Sequence, residues 1–225
     1  MDRKTTRRQQ ILQAAIEIFG RSSFENASII EIARRAGVSE GTIYQYFKNK
    51  KDLFFSIPRE KTKAFSLQLN LYLKGVTDAR EKIRKFAWYY LHFFRTNPDY
   101  ARSLMLEMRV SKDFARSGSY KGVRKFTDLA LAILKEGQEQ GVIRRDVDLY
   151  LTRHLLLGIL EHVVTRWLLK GEREDIMLCH EQLSDLILNG IAVHAEHEPA
   201  GKRRQAGRER VRTNVGSLRL KENLR

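Results

Sequence analysis

Residues 33–54 read Ala33-Arg34-Arg35-Ala36-Gly37-Val38-Ser39-Glu40-Gly41-Thr42-Ile43-Tyr44-Gln45-Tyr46-Phe47-Lys48-Asn49-Lys50-Lys51-Asp52-Leu53-Phe54, and this stretch decides the fold. Just upstream, Ile29, Ile32 and Ala33 repeat at helical spacing, with Ser28 placed to cap the start of that helix. Gly37 falls where a tight turn between two helices needs a residue tolerant of positive φ. Val38 is a turn hydrophobe and Ser39 caps a second helix. In that helix Ile43 and Phe47 lie four apart and face inward. The opposite face then shows Glu40, Gly41, Tyr44, Gln45 and Lys48, flanked by Thr42 and Tyr46. A surface built for a DNA groove needs a small residue for close approach, hydroxyls and amides for base edges and phosphates, and cations at its rim. This one has all three.

The order Gly41-Thr42-Ile43-Tyr44-x-Tyr46-Phe47-x-x-Lys50-x-x-Leu53-Phe54 resembles the DNA-binding domain of the tetracycline-repressor-like (TetR) family. The likeness runs from about Arg7 to Phe55 and includes the leading helix Ile11–Gly20. It implies an all-α protein: a three-helix helix-turn-helix head over residues 1–57 and a helical effector-binding and dimerisation domain over 58–198. It also implies a cytoplasmic transcriptional regulator, most simply a repressor released by a small hydrophobic effector.

Bulk composition agrees. The 225 residues carry a formal charge of +15, as a nucleic-acid binder would. Residues 199–225 hold nine Lys/Arg against two Asp/Glu, so almost half of the excess lies in a short basic segment expected to be disordered. The lone Cys179 excludes an intramolecular disulfide framework and fits a reducing compartment. The N-terminus lacks a signal-peptide pattern, and Leu155–Leu169 is too short and too charged to span a bilayer. No phosphate-binding loop, Gly-x-Ser-x-Gly or His-Glu-x-x-His motif occurs, so nothing points to an enzyme or a cofactor. His194, Glu196, His197 and Glu198 read as a polar helix end, with no metal site assigned.

Periodicity predicts helices at about 5–20, from Lys50 past Leu73, after Asp78, from Pro98 to Met108, and at 122–140, 148–170 and 175–197. Pro58 predicts a kink or break near Ser56–Ile57, a candidate domain boundary and pivot. Residues 111–121 read as a loop. A single helix-turn-helix covers only a few base pairs, so specificity calls for a two-fold pair on double-stranded operator DNA. The final two helices offer the seam for a homodimer: Leu151, Leu155, Gly158, His162 and Thr165 on one, Cys179, Leu183, Ile187 and Gly190 on the other.

On DNA, Thr42, Tyr46, Lys48 and Lys50 are assigned to phosphate, with Ser28, Thr5, Arg7 and Arg8 as supplementary contacts and Ser39 at the helix start. Tyr44 and Gln45 are the base readers, since a glutamine amide can pair bidentately with adenine. Glu40 is a helix-start charge. In the effector domain Trp88, Tyr89 and Phe93 crowd one helix, and Met105, Leu129 and Ile133 are candidates to face them across a pocket. Residues 136–144 and 158–169 resemble the fatty-acid-degradation repressors within the family. That likeness implies a long-chain acyl-CoA effector, with Arg102 and Arg109 as partners for its phosphates.

Overall fold

The computed structural model describes residues 3–193, and those up to Ile191 form one compact unit. The basic segment 199–225 and the residues His194, Glu196, His197 and Glu198 lie outside the described residues. The described chain is helical throughout: α1 (Arg3–Asn26), α2 (Ile29–Ala36), α3 (Glu40–Tyr46), α4 (Lys50–Leu73), α5 (Ala79–Arg95), α6 (Pro98–Arg102), α7 (Lys112–Arg116), α8 (Gly118–Glu139), α9 (Leu149–Leu169) and α10 (His180–Ile191). No helix among the described residues is long and apolar enough to cross a membrane.

The head forms as its sequence dictates. Ser28 and Glu31 make a reciprocal capping box at the start of α2, the Ser28 hydroxyl accepting from the Glu31 amide at 3.1 Å. Gly37 ends α2 at φ 65, and the Val38 amide returns to the Ala33 carbonyl at 3.0 Å. Ser39 then caps α3. With seven residues, α3 is far too short to persist alone and is held by tertiary burial. Ile43 and Phe47 supply it, being fully or almost fully buried; each contributes roughly 1.5–3 kcal/mol.

One irregularity ties this head to the rest. At Ser23 the path of α1 leaves helical geometry with φ 68 and ψ 167, a conformation costing a non-glycine residue about 1–3 kcal/mol. The amide freed at Phe24 donates to the Glu107 carboxylate at 2.7 Å, and the Phe24 ring packs between Phe19 and Phe54. Less than one helical turn earlier, α1 meets α6 so closely that a Cβ on Gly20 would lie 2.5 Å from the Asp99 Cα.

Three expectations fail here. α4 runs unbroken through Pro58, whose ring is buried beside Leu53, Phe54 and Ile57. A proline deletes one amide donor, and the surrounding core burial outweighs that loss. Residues 111–121 are no loop: Ser111 caps α7 and Ser117 caps α8. The predicted helix from Pro98 to Met108 changes type at Ser103, where a six-residue π-helical segment, Ser103–Met108, takes over.

Candidate nucleic-acid interface and effector cavity

On α3, Glu40, Gly41, Tyr44 and Gln45 are exposed, as are Ser39 before it and Lys48 after it. Thr42 and Tyr46 are half-buried at the flank. Ser39 and Thr42 share a hydrogen bond between hydroxyls at 2.9 Å, so one proton remains for a phosphate from the pair. The Asn49 side chain accepts from the Asp52 amide at 2.8 Å while Asp52 accepts from the Lys48 amide at 2.9 Å, fixing the chain between the recognition helix and α4.

Three assigned contacts sit differently. Lys50 turns away from the exposed face: its ammonium donates to the Ala27 and Glu25 carbonyls at 2.9 and 3.3 Å, and lies 4.6 Å from the Phe24 ring centre. The Ser28 hydroxyl is occupied by its capping box. Arg8 pairs with Glu60 at 2.8 Å and covers the Phe47 ring, whereas Thr5 and Arg7 are exposed.

The effector domain encloses a cavity of about 420 Å³ among α4, α5, α6, α8 and α9. A volume of this size suits a small ligand. Its walls are largely aromatic: Phe65, Tyr90, Phe93, Phe94, Phe114 and Phe126, with Leu104, Val123 and Leu157 between them. Charge enters through Lys61, Arg109, Arg153 and Glu161, with the His154 imidazole beside them. Arg109 pairs with Glu161 at 2.5 Å, and burial holds the Glu161 carboxyl above the usual carboxylate range despite that partner. Lys61, bonded to the Asn97 side chain at 2.8 Å, is pushed below its ordinary value by burial. Burial also raises the phenols of Tyr90 and Tyr100. Arg153 holds a buried Nε for which no hydrogen-bond partner is found among the described residues.

Of the residues assigned to the effector from sequence, Phe93 and Arg109 line this cavity. Trp88 stacks on His92 and meets Tyr72 edge-on; Tyr89 packs against Phe65 and Tyr72, and burial raises its phenol to about 12. Arg102 is engaged by Asp99 and Glu172. Met105 and Ile133 are core residues, and Leu129 packs against that core half-buried. Sequence reasoning missed α4 as a wall altogether. Its signal was the pairing of Lys61 with Phe65 on a face otherwise expected to pack.

On α9, Leu151 and Leu155 are exposed, with exposed Gly158 and His162 and half-buried Thr165 continuing the stripe. Gly158 also borders the cavity. On α10 the phase is shifted. Leu183 and Ile187 are buried inside the protomer, Cys179 is half-buried with its thiol donating to the Ile176 carbonyl, and Gly190 is exposed. The outward leucines are Leu186 of α10, 71 % exposed, and Leu178 of the short 3-10 turn Ile176–Cys179 before it, 84 % exposed. Bare leucines on α9 and on α10 are surface of the kind that a partner protomer covers.

A helix-turn-helix with an open recognition face, joined to a ligand-sized cavity and an exposed helical seam, defines a DNA-binding regulator that works as a dimer. The chain belongs to the tetR family of bacterial regulatory proteins: residues 11–57 match the family's N-terminal domain, and residues 59–190 match the C-terminal region of YsiA-like proteins. It is 28 % identical over 191 residues to the fatty acid metabolism regulator protein of Bacillus subtilis, spanning 85 % of this chain and 98 % of that one. The structure of the fatty acid degradation regulator FadR from Bacillus halodurans superposes with a TM-score of 0.78 at 28 % identity, covering 85 % of this chain and 97 % of that one. FadR from B. subtilis, in complex with stearoyl-CoA, superposes at 0.77 and 27 % identity over 81 % and 98 % of the two chains. The protein is a TetR-family transcriptional regulator, and regulators of this family bind operator DNA as dimers.

Proposed function

We propose that this protein is a cytoplasmic repressor that binds an operator as a homodimer through residues 1–57, and is released when a long-chain acyl-CoA enters its cavity within residues 58–198. Tyr44 and Gln45 read base edges, and Thr42, Tyr46 and Lys48 hold phosphate on either side of them. The observation that carries the effector reading is the cavity itself: an aromatic interior of about 420 Å³ whose wall bears Lys61, Arg109 and Arg153. An apolar chain with an anionic head group matches that combination, and likeness over 81 % of this chain to a stearoyl-CoA-bound regulator supports the same class.

Coupling to the head runs through the π-helical segment. Leu104 from that segment and Arg109 just beyond it line the cavity, while Glu107 of the same segment caps the broken end of α1. A ligand that resets the segment therefore alters how α1 and α2 are held, and with them α3. Release requires only that the ligand bind the two arrangements with different affinity. The test is fluorescence anisotropy on the DNA upstream of the protein's own gene, titrated with stearoyl-CoA. Competitor-resistant binding that stearoyl-CoA reverses supports the whole reading. Persistent binding rejects the effector, and activation of the downstream gene in a reporter strain rejects repression.

A further inference from the structure

The cavity contains one carboxylate, and its position is chemically awkward for a site that receives an anion. Glu161 projects from α9 onto Arg109, which follows the π-helical segment, and both line the cavity. Glu161 is the poorly hydrated partner: its side chain retains 21 % of its full exposure, against 38 % for Arg109. The pair occupies one face of the Arg109 guanidinium, and an anion that takes that face displaces Glu161.

We propose that Glu161 is a displaceable internal counter-ion: it holds Arg109 in the empty protein, yields it to a phosphate or carboxylate oxygen of the ligand, and then takes a proton from water onto its own carboxylate. The proposal rests on the acyl-effector reading above and adds a proton to the binding reaction. The balance is simple. The Glu161–Arg109 ion pair breaks, a ligand–Arg109 ion pair forms, and the carboxylate left in a poorly hydrated site becomes a neutral acid.

Removing one partner from a partly buried pair leaves a charge that is costly to keep. Burial already raises the Glu161 carboxyl, and Arg109 is the largest influence opposing it. Once Arg109 turns to the ligand, only His154 on the same helix still favours the charged form. The remaining ionisable neighbours offer no replacement. Tyr90 from α5 and Tyr100 from α6 are raised phenols, Lys61 of α4 bonds Asn97, Arg153 of α9 lies near Asp128, and Tyr120 comes from α8.

The sign follows from linkage. The bound state holds more protons than the free state, so affinity rises as pH falls through the window between the free and bound values of Glu161. Within that window the dissociation constant changes by up to about tenfold per pH unit.

The full-length protein is titrated calorimetrically with stearoyl-CoA and with stearate, each in buffers of different ionisation heat and across pH. Wild type is expected to take up about one proton per protomer more than Glu161→Gln, which cancels any proton bound by the CoA phosphates themselves. Glu161→Gln is also expected to bind more tightly at the alkaline end, with a flatter pH profile. His154→Gln keeps the wild-type uptake. Uptake with stearate as well as stearoyl-CoA shows that a carboxylate and a phosphate can each displace Glu161; uptake with stearoyl-CoA alone assigns the displacing oxygen to phosphate. Binding of stearoyl-CoA with no difference in proton uptake between wild type and Glu161→Gln overturns the proposal alone, as does uptake lost in His154→Gln instead. Absence of binding by both ligands to wild type and Glu161→Gln overturns the acyl-effector reading and this proposal together. Where Glu161→Gln folds poorly, Arg109→Gln is the second reference: it gives Glu161 no partner to yield and is likewise expected to take up about one proton less than wild type.

Discussion

Lys50 separates two accounts of the same residue. Read from sequence it is a phosphate contact at the start of α4. In the structure its ammonium is spent on the α1–α2 junction, donating to the Ala27 and Glu25 carbonyls and lying 4.6 Å from the Phe24 ring centre. Hydrogen bonds from a charged donor contribute about 1.5–3 kcal/mol, and a cation over an aromatic face about 0.5–1 kcal/mol when exposed. The longer bond, at 3.3 Å, is exposed to water, so the total belongs at the low end, about 2 kcal/mol. For a protein of this size that corresponds to a fall of roughly 4–8 °C in melting temperature for Lys50→Met. The same variant is expected to leave the salt dependence of operator binding unchanged, because no counterion-releasing contact is lost. Thermal unfolding and anisotropy across a potassium chloride series make the two readings. A salt slope reduced by about 0.9 with no change in melting temperature would refute the clamp and restore the phosphate contact.

Gln45→Ala is expected to weaken specific operator binding by about 1–3 kcal/mol while leaving binding to random duplex unchanged, as competition anisotropy would reveal. An equal loss on both DNAs would place Gln45 on the backbone. Gly20→Ala drives a Cβ into the backbone of Asp99 and is expected to destabilise by about 1–3 kcal/mol in denaturant unfolding, since that neighbour has no rotamer to escape through. Leu155→Glu and Leu186→Glu place charge on the exposed seam, so sedimentation is expected to show helical monomers that have lost operator binding. Dimers surviving both changes would move the interface elsewhere.

What could be read from sequence was what is settled locally. Ser28, Gly37 and Ser39 act within four residues of their partners, so the head's turns and caps followed from residue types alone. The phase of α10 did not, because the helix is apolar on two neighbouring faces. Leu183 and Ile187 point to the protomer core and Leu186 to solvent, and only the approach of α5 decides between them. Pro58 misled because the cost of a missing donor is fixed, whereas the burial that outweighs it depends on long-range packing. The serines at 111 and 117 were legible caps, overlooked because neighbouring Gly118 suggested a loop. Arg102 and Arg109 look alike in sequence. Carboxylates 70 and 52 residues away on the chain, Glu172 and Glu161, determine that one is a surface clasp and the other a cavity wall.

The bond from the Phe24 amide to Glu107 joins positions 83 residues apart, across the junction at which the two matched family regions divide. A reading head cut out at that junction would keep every cap and turn described for it and still lack one acceptor. The modules are thus interchangeable only with their fittings. A chimera that grafts this head onto another relative's sensing half inherits an uncapped break at Ser23, unless the recipient offers a carboxylate where Glu107 stands.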